Sequence, residues 1–211
     1  MSADDVEIIE KTTPFQGYFR IDRYHLRHRL FEGGTSGVMT REVFERGHAV
    51  AAMLYDADLD RLVLIEQFRP GAHAAKQSPW YADDFRPWLV ECIAGIIEDG
   101  ETPEGVARRE AREEAGCEVG ELVPIYHYLA SPGATSESVF VFCGRVDASK
   151  AGGIHGVEAE DENIRVHVVA PEEAFAWLDA GRIINAMTII GIQWFRHNHA
   201  DLRARWRTAA E

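Results

Sequence analysis

Three carboxylates sit close together in the stretch GIIEDGETPEGVARREAREEAGC, Gly95 to Cys117: Glu110, Glu113 and Glu114. A helix turning about 100° per residue gathers them onto one arc. Ala107, Ala111 and Ala115 form the strip beside it, small enough to let the helix lie close on a sheet, and Arg108 and Arg112 point away. Like charges three and four residues apart repel and weaken a helix. A hard divalent cation turns that repulsion into a binding site, because carboxylates are the ligands Mg²⁺ and Mn²⁺ favour. Taken alone, the arc is equally the exposed face of a charged surface helix. A second acidic run, Glu158-Ala159-Glu160-Asp161-Glu162-Asn163, places Glu160 and Glu162 on the same side if the segment is extended. Here a solvated acidic loop is the competing reading.

The elements that must position these groups follow from local signals. Thr102 can cap a helix over 102–116, Pro103 suits its first position, Glu104 complements its dipole and Gly116 ends it. Upstream, Ala49–Tyr55 and Arg61–Gln67 flank a turn at Asp56–Asp60 and predict a hairpin; Trp88–Ala94 predicts a further strand running into Gly95. Strands are expected at Val123–Leu129, Val139–Val146 and Ile164–Ala170, and helices at Pro171–Ala180 and Ala186–Arg207. Strands mixed with three helices predict an α/β fold, a mixed β-sheet sandwiched between helices. The first 45 residues differ: short stretches at Tyr18–Tyr24 and Arg27–Phe31, a Gly33-Gly34 turn, and another stretch to Phe44 predict a small antiparallel β unit. Such a unit is too small to bury a core by itself. The domain division is therefore 1–45 and 46–211. Two long segments, Pro70–Pro87 and Asp147–Asn163, show no clear periodicity, which marks them as functional or mobile loops.

Composition sets the outer limits. The chain has 211 residues, 46% hydrophobic and 27% charged, which is ordinary for a globular protein with one core. A net charge of −13 argues against nucleic acid as a partner. No apolar run is long enough to cross a bilayer, and the acidic start MSADDVEII lacks the form of a signal peptide. Cys92, Cys117 and Cys143 are odd in number and unrelated in setting, so reduced thiols in the cytoplasm are expected.

One pattern joins these observations. A glycine, five residues, Glu101, seven residues, Arg109-Glu110, two residues, Glu113-Glu114, one residue and Gly116 resembles the Nudix box at every polar and glycine position. Ala111 and Cys117 soften its aliphatic positions. VEIIEKT, YHLRHRLF, REVFERGHA, LIEQFR, LASPGATSE and GIHG…IRVHVV extend the likeness over nearly the whole chain, toward the bacterial ADP-ribose pyrophosphatase branch of that family. The resemblance implies a Nudix fold, an α/β/α sandwich with a mixed sheet plus the N-terminal β unit. It implies Mg²⁺, with Mn²⁺ as a substitute, and hydrolysis of ADP-ribose to AMP and ribose 5-phosphate. A homodimer exchanging N-terminal segments is also implied.

Carried over position by position, the resemblance makes Glu110, Glu114, Glu162 and the backbone carbonyl of Ala94 metal ligands, with Glu113 supporting or sharing that role. Glu160 would be the general base, and Glu101 with Arg109 an ion pair bracing the box. Tyr18, Phe19, Arg41, Glu42, Arg46, Arg69, Ile96, Ser131, Gly133 and Glu137 fall on substrate-contacting positions. Aromatic faces suit adenine, guanidinium forks suit diphosphate, and Ser131 with Glu137 suits ribose hydroxyls. The alternatives are another nucleoside diphosphate sugar such as GDP-mannose as substrate, or a non-catalytic ADP-ribose sensor. The Pro70–Pro87 segment is longer than the resemblance leads one to expect, which bears on the substrate more than on the reaction.

Overall fold

The computed structural model describes residues 2–207, apart from the side chains of Ala3 and Glu160. The chain forms two compact units. One comprises the chain up to His48 together with Tyr128–Ser138; the other comprises Ala49–His127 and the chain from Val139 onward.

The first unit is a three-stranded antiparallel sheet in the order β1 (Val6–Gln16), β2 (Arg20–His28), β3 (Met39–Glu45). Strand β1 is absent from the sequence reading for a physical reason. Its register slips between Ile8 and Glu10 and again between Thr12 and Phe15, so no clean alternation of apolar and polar residues survives. Pro14 lies within the second slip on an edge strand, where its missing N–H costs little. The expected break between Tyr18–Tyr24 and Arg27–Phe31 is corrected as well: β2 runs unbroken through it.

The second unit is built on a mixed sheet of eight strands. They are β4 (Ala49–Asp56), β5 (Arg61–Phe68), β6 (Trp88–Glu91), β7 (Ile93–Ile96), β8 (Leu122–Leu129), β9 (Ser138–Arg145), β10 (Gly153–His155) and β11 (Ile164–Val169). The main order is β10-β11-β5-β4-β9-β8, with β6 on β5 and β7 on β4; β4 and β9 run parallel. Every residue of β4 is buried, which explains why AVAAMLYD reads as a continuous apolar run. Val50, Ala52 and Leu54 face α2 (Pro103–Ala115) in one core cluster with Val106, Ala107, Ala111 and Ala115. On the opposite face Met53 packs against Gly191 and Tyr55 against Phe195, both on α4 (Ala186–Trp206), with α3 (Pro171–Asp179) alongside. The α/β/α sandwich is the observed architecture.

Three further sequence expectations need correcting. Trp88–Ala94 is two short strands, β6 and β7, paired with β5 and β4 respectively. The segment after Arg69 opens with a short helix, α1 (Pro70–Ala75), so the described residues hold four α-helices rather than three. Pro70 at its first turn is the start signal that the lack of periodicity masked. Asp147–Asn163 carries β10 and a 3₁₀ turn at Glu158–Glu160, with Asp161 left-handed at φ 55°. It is not the extended run that would align Glu160 with Glu162. No helix among the described residues is long and apolar enough to cross a membrane.

Candidate active site

Helix α2 and strand β7 hold the centre of the second unit's polar cluster. Thr102 accepts the Gly105 N–H at 3.1 Å, closing the first turn of α2. The last turn ends at Gly116, φ 64°, whose N–H reaches Arg112 while that of Cys117 reaches back to Ala111. Only glycine adopts that left-handed cap without steric cost. The alanine strip lets α2 approach so closely that a Cβ on Gly95 would collide with the Glu110 carboxylate. The Gly95-to-Glu110 spacing of the box is thus a contact between strand and helix.

Glu114 is buried; its carboxylate accepts the Ala94 N–H at 2.9 Å and the Gln67 side-chain amide at 3.3 Å. Burial pushes its carboxyl up to about 8, with Glu110 and Glu162 adding to the rise and the Ala94 bond opposing it. Glu110 is pushed up to about 7, first by burial, then by Glu113 and Glu162 against the pull of Arg109. Glu162, from the acidic segment, therefore acts on both box acids electrostatically, and its carboxylate accepts the Val157 N–H at 3.2 Å. Glu113 stays half-exposed, and its carbonyl accepts the Gly156 N–H at 3.1 Å, tying α2 to that segment. Ile96 closes β7 opposite Ala49, partly exposed.

Arg109 is a hub rather than half of a pair. Its guanidinium lies 3.1 Å from Glu101, 2.8 Å from Glu110 and 2.9 Å from Glu113. Glu101 in turn accepts the Glu98 N–H at 3.0 Å, so the loop entering α2 is held from both ends.

These donors suit a hard divalent cation: several carboxylate oxygens that repel one another, with the Glu110 and Glu114 carboxyls raised by burial and by that repulsion. The described residues nevertheless include no cluster of three acid, imidazole or thiol groups already converged on one point. Glu114 is committed to Ala94 and Gln67, Glu110 to Arg109, and Glu162 to Val157. Cation binding would exchange those contacts for metal. Glu160 belongs to the 3₁₀ turn, and its side chain lies outside the described residues.

Three residues that sequence reasoning missed shape this cluster. Gln67 holds Glu114. Glu91, buried on β6, accepts from Arg69 Nε at 2.7 Å and from the Asn185 amide at 2.6 Å. Its carboxyl is raised by burial despite the Arg69 charge. Asn185 caps α4 by accepting the Thr188 N–H at 3.2 Å. A signal existed for Asn185, a capping residue before a helical run; none existed for a Glu91–Arg69 contact spanning 22 residues.

The remaining candidates lie in the first unit. Phe19 meets Tyr18 and Phe44 edge-on at 4.8 and 5.0 Å, and the Arg46 guanidinium stands 5.8 Å over its ring. Arg46 also lies 3.4 Å from Glu137. Ser131 and Gly133 occupy an exposed turn in which the Ser131 carbonyl accepts from Ala134 and Thr135. Tyr18 is 86% exposed. Among the described residues Arg41 donates to its neighbour's carbonyl, and Glu42 is engaged by Arg23 at 2.7 Å, so these two are not gathered with Phe19 and Arg46.

The NUDIX domain model matches residues 45–187. The chain belongs to the Nudix family. An ADP-ribose pyrophosphatase of Escherichia coli (strain K12) is 47% identical over 203 residues, covering 96% of this chain and 93% of that protein. One from Haemophilus influenzae is 42% identical over 207 residues, covering 98% and 93%. A GDP-mannose pyrophosphatase of Yersinia pestis is 31% identical over 190 residues, 90% of each. Nudix enzymes of this kind depend on divalent metal, which accords with the oxygen donors of α2.

Proposed function

We propose that this Nudix enzyme hydrolyses the diphosphate of ADP-ribose to AMP and ribose 5-phosphate. The observation that carries the reading is 47% identity over almost the whole chain to an ADP-ribose pyrophosphatase, against 31% to a GDP-mannose pyrophosphatase. Water adds to one phosphorus as the bond from that phosphorus to the bridging oxygen breaks, so the two monophosphates are the only products. Glu110, Glu114, Glu162 and the Ala94 carbonyl are assigned to Mg²⁺, with Mn²⁺ as a substitute, and Glu113 to support. When bound, the cation neutralises charge developing on the diphosphate and favours ionisation of the attacking water.

The chain's own groups do the rest. Arg109 keeps the box acids from repelling one another and, through Glu101, fixes the loop into α2. Arg69, aimed by Glu91, suits the diphosphate, with Ile96 lining the approach. Glu160 is assigned as the acceptor of the water's proton. A carboxylate committed to metal is a poor base, so the base belongs outside the box. Tyr18, Phe19, Arg41, Glu42, Arg46, Ser131, Gly133 and Glu137 are assigned to adenine and ribose, in a homodimer that exchanges N-terminal segments. Three buried, free thiols, Cys92, Cys117 and Cys143, suit a cytoplasmic setting.

A product assay on ADP-ribose and GDP-mannose with Mg²⁺ tests the reading. AMP and ribose 5-phosphate should form, with kcat/KM for ADP-ribose at least tenfold the higher, roughly one good contact's worth of discrimination. A preference for GDP-mannose would overturn the substrate. Tight binding of ADP-ribose without turnover would mean a sensor.

A further inference from the structure

The segment between Arg69 and Trp88 does more than join β5 to β6. With the sheet it lines an open cavity of about 520 Å³, in the size range of small-molecule sites. Its position follows from strand alternation. Gln67 points to Glu114 on α2, so its neighbour Glu66 points to the opposite face of β5. There Glu66 meets His167 at 2.9 Å, whose ring stands edge-on to Trp177 of α3. Glu66 lines the cavity, which therefore lies on the α3 side of the sheet and is not the carboxylate site under α2.

Its lining is unusual for a chain of net charge −13. Lys76, Arg86 and Arg165 face it, against the single carboxylate of Glu66. Glu66 is already engaged by His167, and Arg165 stands 3.6 Å from it with its side chain 65% exposed. Among the described residues Lys76 and Arg86 have no acidic partner, although acids outnumber bases 35 to 22 in the chain. Phe85 and Trp88 supply flat apolar walls, and Trp88 is held by Phe68 at 5.4 Å between ring centres. Two uncommitted cations beside aromatic faces are what an anion carrying a planar ring requires.

We propose that the 70–87 segment builds a second ligand site, which takes a nucleoside monophosphate: phosphate on Lys76 and Arg86, base against Trp88. The site also touches the catalytic cluster through the backbone. Asn163 lines it and adjoins Glu162, and Glu66 adjoins Gln67, the residue that holds Glu114. A ligand here would therefore bear on the two segments that carry box contacts. None of this depends on which diphosphate the α2 site cleaves.

The test is direct binding to the full chain in EDTA, read by calorimetry with AMP, adenosine and inorganic phosphate as probes. AMP should bind at least tenfold more tightly than either fragment. The double variant Lys76→Ala/Arg86→Ala should weaken AMP by about tenfold or more, as expected for two lost charge-assisted contacts. Lys76→Arg/Arg86→Lys should restore it to within a few-fold, and Trp88→Leu should weaken AMP while leaving phosphate unchanged. Metal-dependent turnover of Lys76→Ala/Arg86→Ala, measured without added AMP, should match the parent. No AMP binding by the parent chain would overturn the proposal. So would binding that survives Lys76→Ala/Arg86→Ala but disappears in Arg69→Ala, which would place AMP in the α2 site. Because turnover is read separately, failure of the second site and failure of the ADP-ribose assignment give different results.

Discussion

Helix α2 buries its working carboxylate Glu114 among alanines, whereas all eleven residues of strand β1 remain exposed. In the second unit, the charged groups around α2 and β6 have partners within the same unit: Arg109 its three acids, Glu91 its two donors, Glu114 its amides. In the first, Val6, Ile8, Ile9 and Phe15 stand about half open to solvent on an edge strand. A long edge with apolar side chains on it is a surface that natural proteins cover. The second unit thus satisfies its charged site from within, whereas the first presents an apolar edge of the kind a partner surface covers. The homodimer proposed above would supply that cover.

Removing residues 1–45 breaks the comparison most severely, and the largest effect is expected there: dimer and activity should vanish together. Light scattering and the product assay on the truncated chain check this. An active monomer would mean that the N-terminal sheet is dispensable and its apolar edge serves something else.

Next in size is Glu160→Gln. Loss of a general base typically costs about 10²–10⁴-fold in rate. The cost should fall on kcat with KM little changed, because only a transition-state contact is lost. Glu158→Gln, two residues away, should do almost nothing. If Glu160→Gln keeps kcat within a few-fold of the parent, the proton goes elsewhere.

The carboxylates of α2 predict a smaller, thermodynamic effect. Divalent metal binding only the folded state at about 100-fold saturation adds roughly 2.7 kcal/mol. Thermal unfolding in EDTA against millimolar Mg²⁺ measures it, and an unchanged midpoint with full activity in EDTA would refute it. The sign with pH is fixed by the raised carboxyls. Glu110 and Glu114 titrate near 4.5 unfolded but at about 7 and about 8 in the metal-free fold. Their stabilising contribution is whole below pH 4.5 and is lost as pH rises through 7 to 8. The EDTA-treated protein should therefore lose stability over that window, and the gap to the Mg²⁺ form should widen.

How much of this was legible in the sequence follows the same divide. Helix α2 was readable to within a residue at each end, because its cap, its Pro103 and its Gly116 are local signals. The β4–β5 hairpin was readable because burial on both faces writes a continuous apolar run. Strand β1 was not, since two register slips erase its period. The pairing of Glu160 with Glu162 misled because alternation presumes an extended chain, and Asp161 at φ 55° turns it. Contacts made by folding alone left no trace at all, and the Arg69–Glu91–Asn185 chain is the clearest case, its links spanning 22 and 94 residues.

That chain supplies the smallest of the predicted effects and the finest test of whether the second unit is complete in itself. Glu91 is 1% exposed and paired with Arg69, so it sets where the guanidinium points. Glu91→Gln keeps the shape and the bond from Asn185 but removes the charge that pairs Arg69. A charge-assisted bond is worth about twice a neutral one, so Arg69 should be held less firmly. If Arg69 binds the diphosphate equally in ground and transition states, the loss appears as KM raised about tenfold with kcat nearly unchanged. A purely structural role predicts something else: a lower unfolding midpoint with unchanged KM. Glu91→Ala separates the two further, because it also strips the Asn185 cap of its partner and should lower the midpoint as well as raise KM. Kinetics and thermal unfolding on both variants decide the matter. If Glu91→Gln leaves KM within twofold of the parent, Arg69 does not depend on Glu91 for its aim and the positioning role is wrong.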